Sequence, residues 1–456
     1  MGLLGKIVVA SLVIVVALFW AKLNETAPPP VLRSEWWAQG QPQAVDTSIR
    51  PFKINVPDQV LKDLDDRLKS YTTLTPPLEG IGFQYGFNSK YLNEVVQFWR
   101  TKYNWREREK FLNKFPQFKT TVDGLELHFL RVKPTSVPQG VEVVPLLLLH
   151  GWPGSVREFY SVIPLLTTPR EGQDFVFEVV APSLPGYGFS QGAAKPGLGP
   201  AQVAVVMRDL MERLGFKKYY VQGGDWGAII GSHMATLFPD RLLGYHSNMC
   251  FSNSPMSIFK NFIGSFWPTL FVEQRYADKA FPYWEKFFGV ILEEMGYFHI
   301  QATKPDTVGT ALQTSPVGLA AYILEKFSTW TDVSWRSLPD GGLTKKYSLT
   351  DLLDNVMIYW VTNSITTSVR LYSESFTRAQ LALKLDVVPN YTPTACAQFL
   401  NEITFVPESM VRDKNRNLVR YTVQPRGGHF AAFEEPKLLA DDVWESVKTM
   451  REQAKK

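Results

Sequence analysis

Cysteine is scarce, with two residues, Cys250 and Cys396, in 456. So few exclude a disulfide framework and fit a folded part held in a reducing compartment, both thiols serving as small buried hydrophobes. Charge of one sign is lacking too. The 48 Lys and Arg against 44 Asp and Glu leave a formal net charge of +4 with no basic block, which excludes nucleic acid as a partner. No histidine pair has zinc-helix spacing, no Asp-rich calcium loop occurs and no Walker pattern is present, so neither a metal nor another cofactor is expected. Internal repeats and low-complexity segments are absent as well.

Long apolar runs are few, and the one at the N-terminus stands out. Ile7 to Trp20 is apolar apart from Ser11, with Lys6 and Lys22 flanking it and Leu3, Leu4 and Leu23 extending it. No small-x-small cleavage site follows, so a membrane anchor over residues 1–23 is expected rather than a removed signal peptide. Ala27 to Pro30 reads as a spacer leaving the membrane. With the main domain cytosolic, Asn24-Glu25-Thr26 is a glycosylation sequon whose use would refute the orientation.

The chain is organised around Tyr219 to Gly227, Tyr-Tyr-Val-Gln-Gly-Gly-Asp-Trp-Gly, which reads as a strand, a sharp turn and the start of a helix. Gly223 and Gly227 lie two residues either side of Asp225, the small-x-nucleophile-x-small spacing of a nucleophile elbow. Serine, the usual occupant, needs a base before it can attack. A carboxylate is already a nucleophile, so Asp225 points to attack on an alkyl carbon. The plainer alternative is a Gly-rich turn whose Asp caps the next helix, and the neighbouring motifs decide between the two.

Upstream, the apolar run Val141 to Leu149 reads as a buried strand and ends in His150-Gly151-Trp152-Pro153-Gly154-Ser155. Such a turn supplies one backbone donor of an oxyanion hole, assigned to the Trp152 N–H; the other is the N–H after the nucleophile, that of Trp226. The neighbours of His150 suggest a turn-stabilising role. Phe175 to Ala181 is the next strand. The Gly186-Tyr187-Gly188 that follows it lacks the third glycine of a dinucleotide loop. Pro200 to Leu214 is an amphipathic helix ended by Gly215, and Leu242 to Ser247 is a further strand. The alternation predicts an α/β protein with a mostly parallel sheet, an α/β-hydrolase fold.

Residues 250–375 are aromatic and helical in spacing, as at Leu319, Ile323 and Phe327, and predict a helical lid over a greasy pocket. The core resumes at Tyr391 to Gln398 and Leu418 to Val423. Of six histidines only His429 lies beyond both elbow and lid, on a loop after a late strand, and the order nucleophile, acid, histidine selects it. Asp386, Glu402, Glu408 and Asp413 are candidates for the acid, with Glu402 best placed, just past a strand. Before the core, residues 24–132 carry two amphipathic helices, on Leu61, Leu64 and Leu68 and on Leu92, Val95, Val96 and Trp99. A hairpin follows around Asp123-Gly124. This segment is expected to wrap the core. The expected organisation is anchor 1–23, wrap 24–132, core 133–249, lid 250–375 and core 376–456.

These motifs resemble those of the microsomal epoxide hydrolases, in their insect juvenile hormone epoxide hydrolase branch. The resemblance runs through Glu35-Trp36-Trp37, Ser48 to Phe52, Tyr85 to Asn88, the His150 to Ser155 turn, Gly223 to Gly227, Tyr297 to Gln301, Lys304 to Thr307 and Gly427 to Phe433. It implies that Tyr297 and Tyr372, both in the lid, donate hydrogen bonds to an epoxide oxygen, that Glu402 is the acid orienting His429, and that the Trp152-Pro153 bond is cis. It implies opening of a lipophilic epoxide by Asp225 through an ester, hydrolysis of that ester by water, and attachment to the endoplasmic reticulum membrane. Juvenile hormone and foreign epoxides both suit such a site. A haloalkane dehalogenase shares the aspartate, histidine and acid but needs side-chain N–H donors where this chain has tyrosines. A carrier of lipophilic ligands on a dead hydrolase fold would have lost a catalytic residue.

Overall fold

The computed structural model describes residues 27–456 together with Ser11, Leu18, Trp20, Ala21 and Lys22. The expected anchor falls almost wholly outside them. Among the described residues no helix is long and apolar enough to cross a membrane.

The strands are β1 (Arg50–Phe52), β2 (Gln117–Val122), β3 (Leu125–Val132), β4 (Glu142–Leu149), β5 (Phe175–Pro182), β6 (Tyr219–Gly223), β7 (Leu242–Ser247), β8 (Thr394–Phe399) and β9 (Leu418–Gln424). They form one sheet in the order β1-β2-β3-β5-β4-β6-β7-β8-β9. β1 to β3 pair antiparallel, as does β3 with β5, and every pairing from β5 across to β9 is parallel. Every residue of β5, β6 and β8 is buried, as expected of strands covered on both faces. The β2–β3 turn is the predicted hairpin: Asp123 at φ 52° and Gly124 at φ 84° both take the left-handed conformation that a two-residue turn of this kind requires. The short β1 has no period long enough to be read from sequence.

Three helices lie between β1 and β2: α1 (Asp58–Ser70), α2 (Ser89–Thr101) and α3 (Trp105–Leu112). Asn88 caps α2 by accepting the Lys90 N–H at 3.0 Å, and Asn104 caps α3 by accepting that of Arg106 at 3.0 Å. In the core, α4 (Pro200–Arg213) packs on α5 (Trp226–Leu237), and α5 lies against β4, β6 and β7. Between β7 and β8 the chain is a run of helices from Pro255 to Ala382, including α6 (Gly296–Thr303), α7 (Pro316–Thr329), α8 (Leu349–Thr362) and α9 (Ile365–Ser375). The C-terminal α10 (Pro436–Ala454) crosses β7, β8 and β9. The apolar faces of α1 and α2, expected to cover the core, lie against α7, and α2 also touches α8. The N-terminal segment thus braces the helical insertion as well as extending the sheet.

One buried carboxylate joins these parts. Asp354 of α8 has a fully buried side chain. Its Oδ1 accepts from Tyr103 Oη at 3.0 Å and Arg108 Nε at 2.8 Å, and its Oδ2 from Arg108 Nη2 at 2.6 Å and Arg157 Nε at 2.9 Å. Arg108 lies on α3 and Arg157 in the turn after β4, so one side chain ties the N-terminal helices, the core and the insertion together.

The cysteines differ from expectation. Cys250 and Cys396 are joined in a disulfide with Cα atoms 6.1 Å apart. Parallel pairing of β7 with β8 sets Ser247 opposite Cys396 and so brings together two residues 146 positions apart, a juxtaposition that spacing could not reveal. Both are buried, as expected, but the bond removes the ground for a reducing compartment.

Removing Asp354 leaves two arginines, one of them buried, with only the more exposed carboxylate of Asp351 as a partner. Asp354→Ala should lower unfolding free energy by about 3–5 kcal/mol, whereas Asp306→Ala, which breaks only the exposed pair with Arg370, should cost at most about 1 kcal/mol. Urea unfolding followed by tryptophan fluorescence measures both. Equal losses would remove Asp354 from its central place.

Candidate active site

The ends of β4, β6 and β7 lie level, Leu149 opposite Gly223 and Gly223 opposite Ser247. Two turns therefore meet at one edge of the sheet. The chain passes from β6 into α5 over two residues, and Asp225 takes φ 52° and ψ −129°, a conformation that side-chain-bearing residues rarely adopt. Its glycines are steric necessities. A Cβ on Gly223 would lie 2.2 Å from the Gly227 carbonyl oxygen, and one on Gly227 only 2.0 Å from that of Leu149. On the facing turn, a Cβ on Gly151 would lie 2.0 Å from Asp225 Oδ1.

Asp225 Oδ1 accepts the Trp152 N–H at 2.7 Å. The Trp152-Pro153 bond is cis. The Trp226 N–H, the other expected donor, is the first of α5 and has no intrahelical acceptor to satisfy. His150 holds the turn. Its Nδ1–H donates to the Gly151 carbonyl at 3.0 Å while Nε2 accepts the Leu184 N–H at 3.1 Å, and burial pushes its pKa down to about 4.

His429 sits on the loop after β9, which three contacts pin. The N–H groups of Gly428 and Phe430 donate to Glu434 Oε2 at 2.7 Å and Oε1 at 2.8 Å, and the His429 N–H donates to the Trp330 carbonyl at 3.0 Å. The imidazole lies between two carboxylates: Nδ1 is 2.8 Å from Glu402 Oε1, and Nε2 is 3.4 Å from Asp225 Oδ2. Burial alone would lower the His429 pKa, but the charge of Glu402 and its hydrogen bond to Nδ1, together with the nearby Asp225 charge, outweigh it and hold the imidazole well above its ordinary value. Nε2 makes no hydrogen bond. The other candidate acids are engaged elsewhere, Asp386 facing His233 at 3.5 Å, Glu408 bonded to Arg412 at 2.6 Å and Asp413 to Lys260 at 2.8 Å.

From the insertion, Tyr297 on α6 and Tyr372 on α9 come down over the elbow. The Tyr297 ring stacks on Trp152 at 5.4 Å, that of Tyr372 stands edge-on to Trp226 at 4.7 Å, and the two tyrosine rings are 6.0 Å apart. Burial raises both phenol pKa values well above the usual 10, and the Asp225 charge adds to the effect, so both keep their protons as donors. The structure thus gathers Asp225, His429, Glu402, Tyr297, Tyr372 and the Trp152 and Trp226 N–H groups in one place. Such a set can deliver a carboxylate to an electrophilic carbon and an acid to the departing oxygen.

Two further carboxyls here escaped the sequence reading. Glu434 clamps the histidine loop, and Glu158 borders a cavity of ≈ 20 Å³ beside Asp225 and His429. The available signal was an acid within eight residues of each motif and next to an aromatic residue. Among the described residues no cluster suits a metal.

Histidine titration followed by ¹⁵N NMR should separate these environments. His150 should stay neutral down to about pH 4, with its proton on Nδ1, while His429 stays charged well above the pH at which a free imidazole loses its proton. A neutral His429 at pH 6 would contradict the paired-carboxylate geometry.

The chain resembles known proteins over nearly its whole length. The family described as epoxide hydrolase N terminus matches residues 49–159, and the alpha/beta hydrolase fold matches residues 144–436. Juvenile hormone epoxide hydrolase 1 of Ctenocephalides felis is 57% identical over 446 residues, covering 98% of this chain and 96% of that one. Epoxide hydrolase 1 of Oryctolagus cuniculus is 46% identical over 436 residues, covering 94% and 96%. The crystal structure of juvenile hormone epoxide hydrolase from the silkworm Bombyx mori superposes with a TM-score of 0.89 at 51% identity, covering 92% of this chain and 99% of the other. With an elbow that presents a carboxylate and relatives alike along nearly their whole length, the chain belongs to the epoxide hydrolases and is an enzyme of that family.

Proposed function

We propose that the enzyme opens lipophilic epoxides, with juvenile hormone as its natural substrate, through an ester on Asp225. The observation that carries this reading is the unlike environment of the two Asp225 oxygens: Oδ1 takes the Trp152 N–H at 2.7 Å, while Oδ2 faces the His429 imidazole at 3.4 Å. Oδ2 attacks an epoxide carbon. The ring C–O bond breaks, and the oxygen takes a proton from the Tyr297 and Tyr372 pair, without which the alkoxide would be too basic to leave.

Esterification then changes His429. The negative charge on Asp225, one of the causes of the raised imidazole pKa, disappears, and the imidazole can release a proton that replaces the one the tyrosines gave up. Neutral His429, oriented by Glu402, takes a proton from water, whose oxygen attacks Cγ. The new oxyanion rests on Oδ1 against the Trp152 and Trp226 N–H groups. Cleavage of the Cγ–Oδ2 bond, with the proton of the added hydroxyl passing to the departing Oδ2, releases the vicinal diol and restores the carboxylate beside charged His429. The tyrosine pair over the carboxylate distinguishes this chemistry from dehalogenation, and the filled acid and histidine positions set it apart from a carrier.

The helical insertion acts in this reading as a lid, bringing tyrosines and apolar surface to the substrate. The proposed anchor over residues 1–23 places the domain at the endoplasmic reticulum membrane, where lipophilic epoxides partition. The names of the Ctenocephalides felis and Bombyx mori relatives support juvenile hormone as the substrate.

His429→Gln should leave ester formation intact and stop its hydrolysis, so that one equivalent of juvenile hormone stays covalently on the protein by intact mass. Tyr297→Phe and Tyr372→Phe should each slow ester formation by roughly 10²–10⁴-fold. A His429→Gln variant that turns over without accumulating ester would refute the two-step route. Glycosylation at Asn24 in microsomes reads the topology: an unmodified Asn24 agrees with a cytosolic domain, and a glycan puts the domain and its disulfide in the lumen.

A further inference from the structure

Behind Asp225 lies a cavity of ≈ 20 Å³, bordered by Gly154, Glu158, Asp225, Asn248 and His429. It has room for one water molecule. None of its lining residues comes from the helical insertion that carries Tyr297 and Tyr372, so it opens on the core side of the carboxylate. A reactant approaching Cγ from this side would not compete with an epoxide under the tyrosines. The His429 Nε2, in a side chain only 2% exposed, makes no hydrogen bond and borders the same space.

Glu158 is fixed there by the turn that also holds Asp225. A Cβ on Gly154 would fall 1.4 Å from Glu158 Oε1, just as one on Gly151 would strike Asp225 Oδ1. Each glycine of the His150-Gly151-Trp152-Pro153-Gly154 turn therefore makes way for one carboxyl group, the first the nucleophile and the second facing the cavity. Burial pushes the Glu158 pKa up to about 8; His429 opposes the shift, while the Asp225 and Glu434 charges add to it. His150, also on the cavity wall, is neutral. At neutral pH Glu158 is thus an uncharged acid, able to accept a hydrogen bond through its carbonyl without repelling the carboxylate beside it.

We propose that Glu158 binds the water that hydrolyses the Asp225 ester, an inference that rests on the two-step reading above. The Glu158 carbonyl accepts one hydrogen of that water, the His429 Nε2 removes the other, and the oxygen lone pair so aimed forms the bond to Asp225 Cγ. Glu158 neither gains nor loses a proton.

Pre-steady-state kinetics with juvenile hormone separates ester formation from ester hydrolysis, with quenched samples weighed intact. Glu158→Leu, similar in bulk but without the carbonyl, should form ester at the wild-type rate and hydrolyse it about 10²-fold more slowly, so that ester accumulates. Glu158→Gln keeps a carbonyl acceptor and should hydrolyse within a few-fold of wild type. Should Glu158→Leu not fold, Gly154→Ala displaces the carboxyl from the other side and should also slow hydrolysis while sparing ester formation. Unchanged hydrolysis in the Leu variant, or a Gln variant as slow as Leu, would overturn the proposal. Absence of ester even in His429→Gln would instead overturn the two-step route on which it rests.

Discussion

The site depends on one backbone constraint. Asp225 is held at φ 52° between two glycines that cannot carry side chains, because Gly223 packs on the Gly227 carbonyl and Gly227 on that of Leu149. This close approach of strand, turn and helix is what lifts the carboxylate out of the sheet edge and against the Trp152 N–H. An alanine at either glycine would push the helix off the strand and take the carboxylate with it. The strained turn is held by its surroundings: β6 is buried along its whole length between β4 and β7, and α5 is anchored on all three strands.

Electrostatics builds on that scaffold. A buried imidazole between two carboxylates is charged, which suits it to wait beside a nucleophile but not to act as a base. In the proposed reaction the chemistry itself reverses this, since esterification removes one of the two charges. The tyrosines obey the same field with the opposite result. Buried and next to Asp225, they are held in the protonated form, the one an epoxide oxygen needs. In the proposed reaction one carboxylate thus attacks, keeps the acids protonated and sets the state of the base.

Much of this was legible in the sequence, for identifiable reasons. The elbow was readable because glycine at two fixed offsets around an acid has few uses, and His429 because chain order left no other histidine. The parallel strands were readable as apolar runs, and the hairpin from Asp123-Gly124. Tyr297 and Tyr372 were not derivable from pattern, since in a helical segment rich in rings any tyrosine could be packing; family resemblance supplied them. Glu158 and Glu434 were missed because a lone glutamate has no period and its burial is a tertiary fact. The Cys250–Cys396 bond arises only when β7 and β8 pair across 146 residues, most of them in the helical insertion. The seating of α1 and α2 on insertion helices was hidden in the same way: an amphipathic face announces burial but not its partner.

The most direct test of the account is a single turnover of juvenile hormone in water enriched in heavy oxygen, followed by mass analysis of the diol and of the peptide containing Asp225. Attack by the carboxylate requires that the first diol carry only unlabelled oxygen and that one heavy oxygen appear in Asp225. Label found in the first diol, with Asp225 unlabelled, would mean that water attacks the epoxide directly and that the carboxylate at the elbow is not the nucleophile.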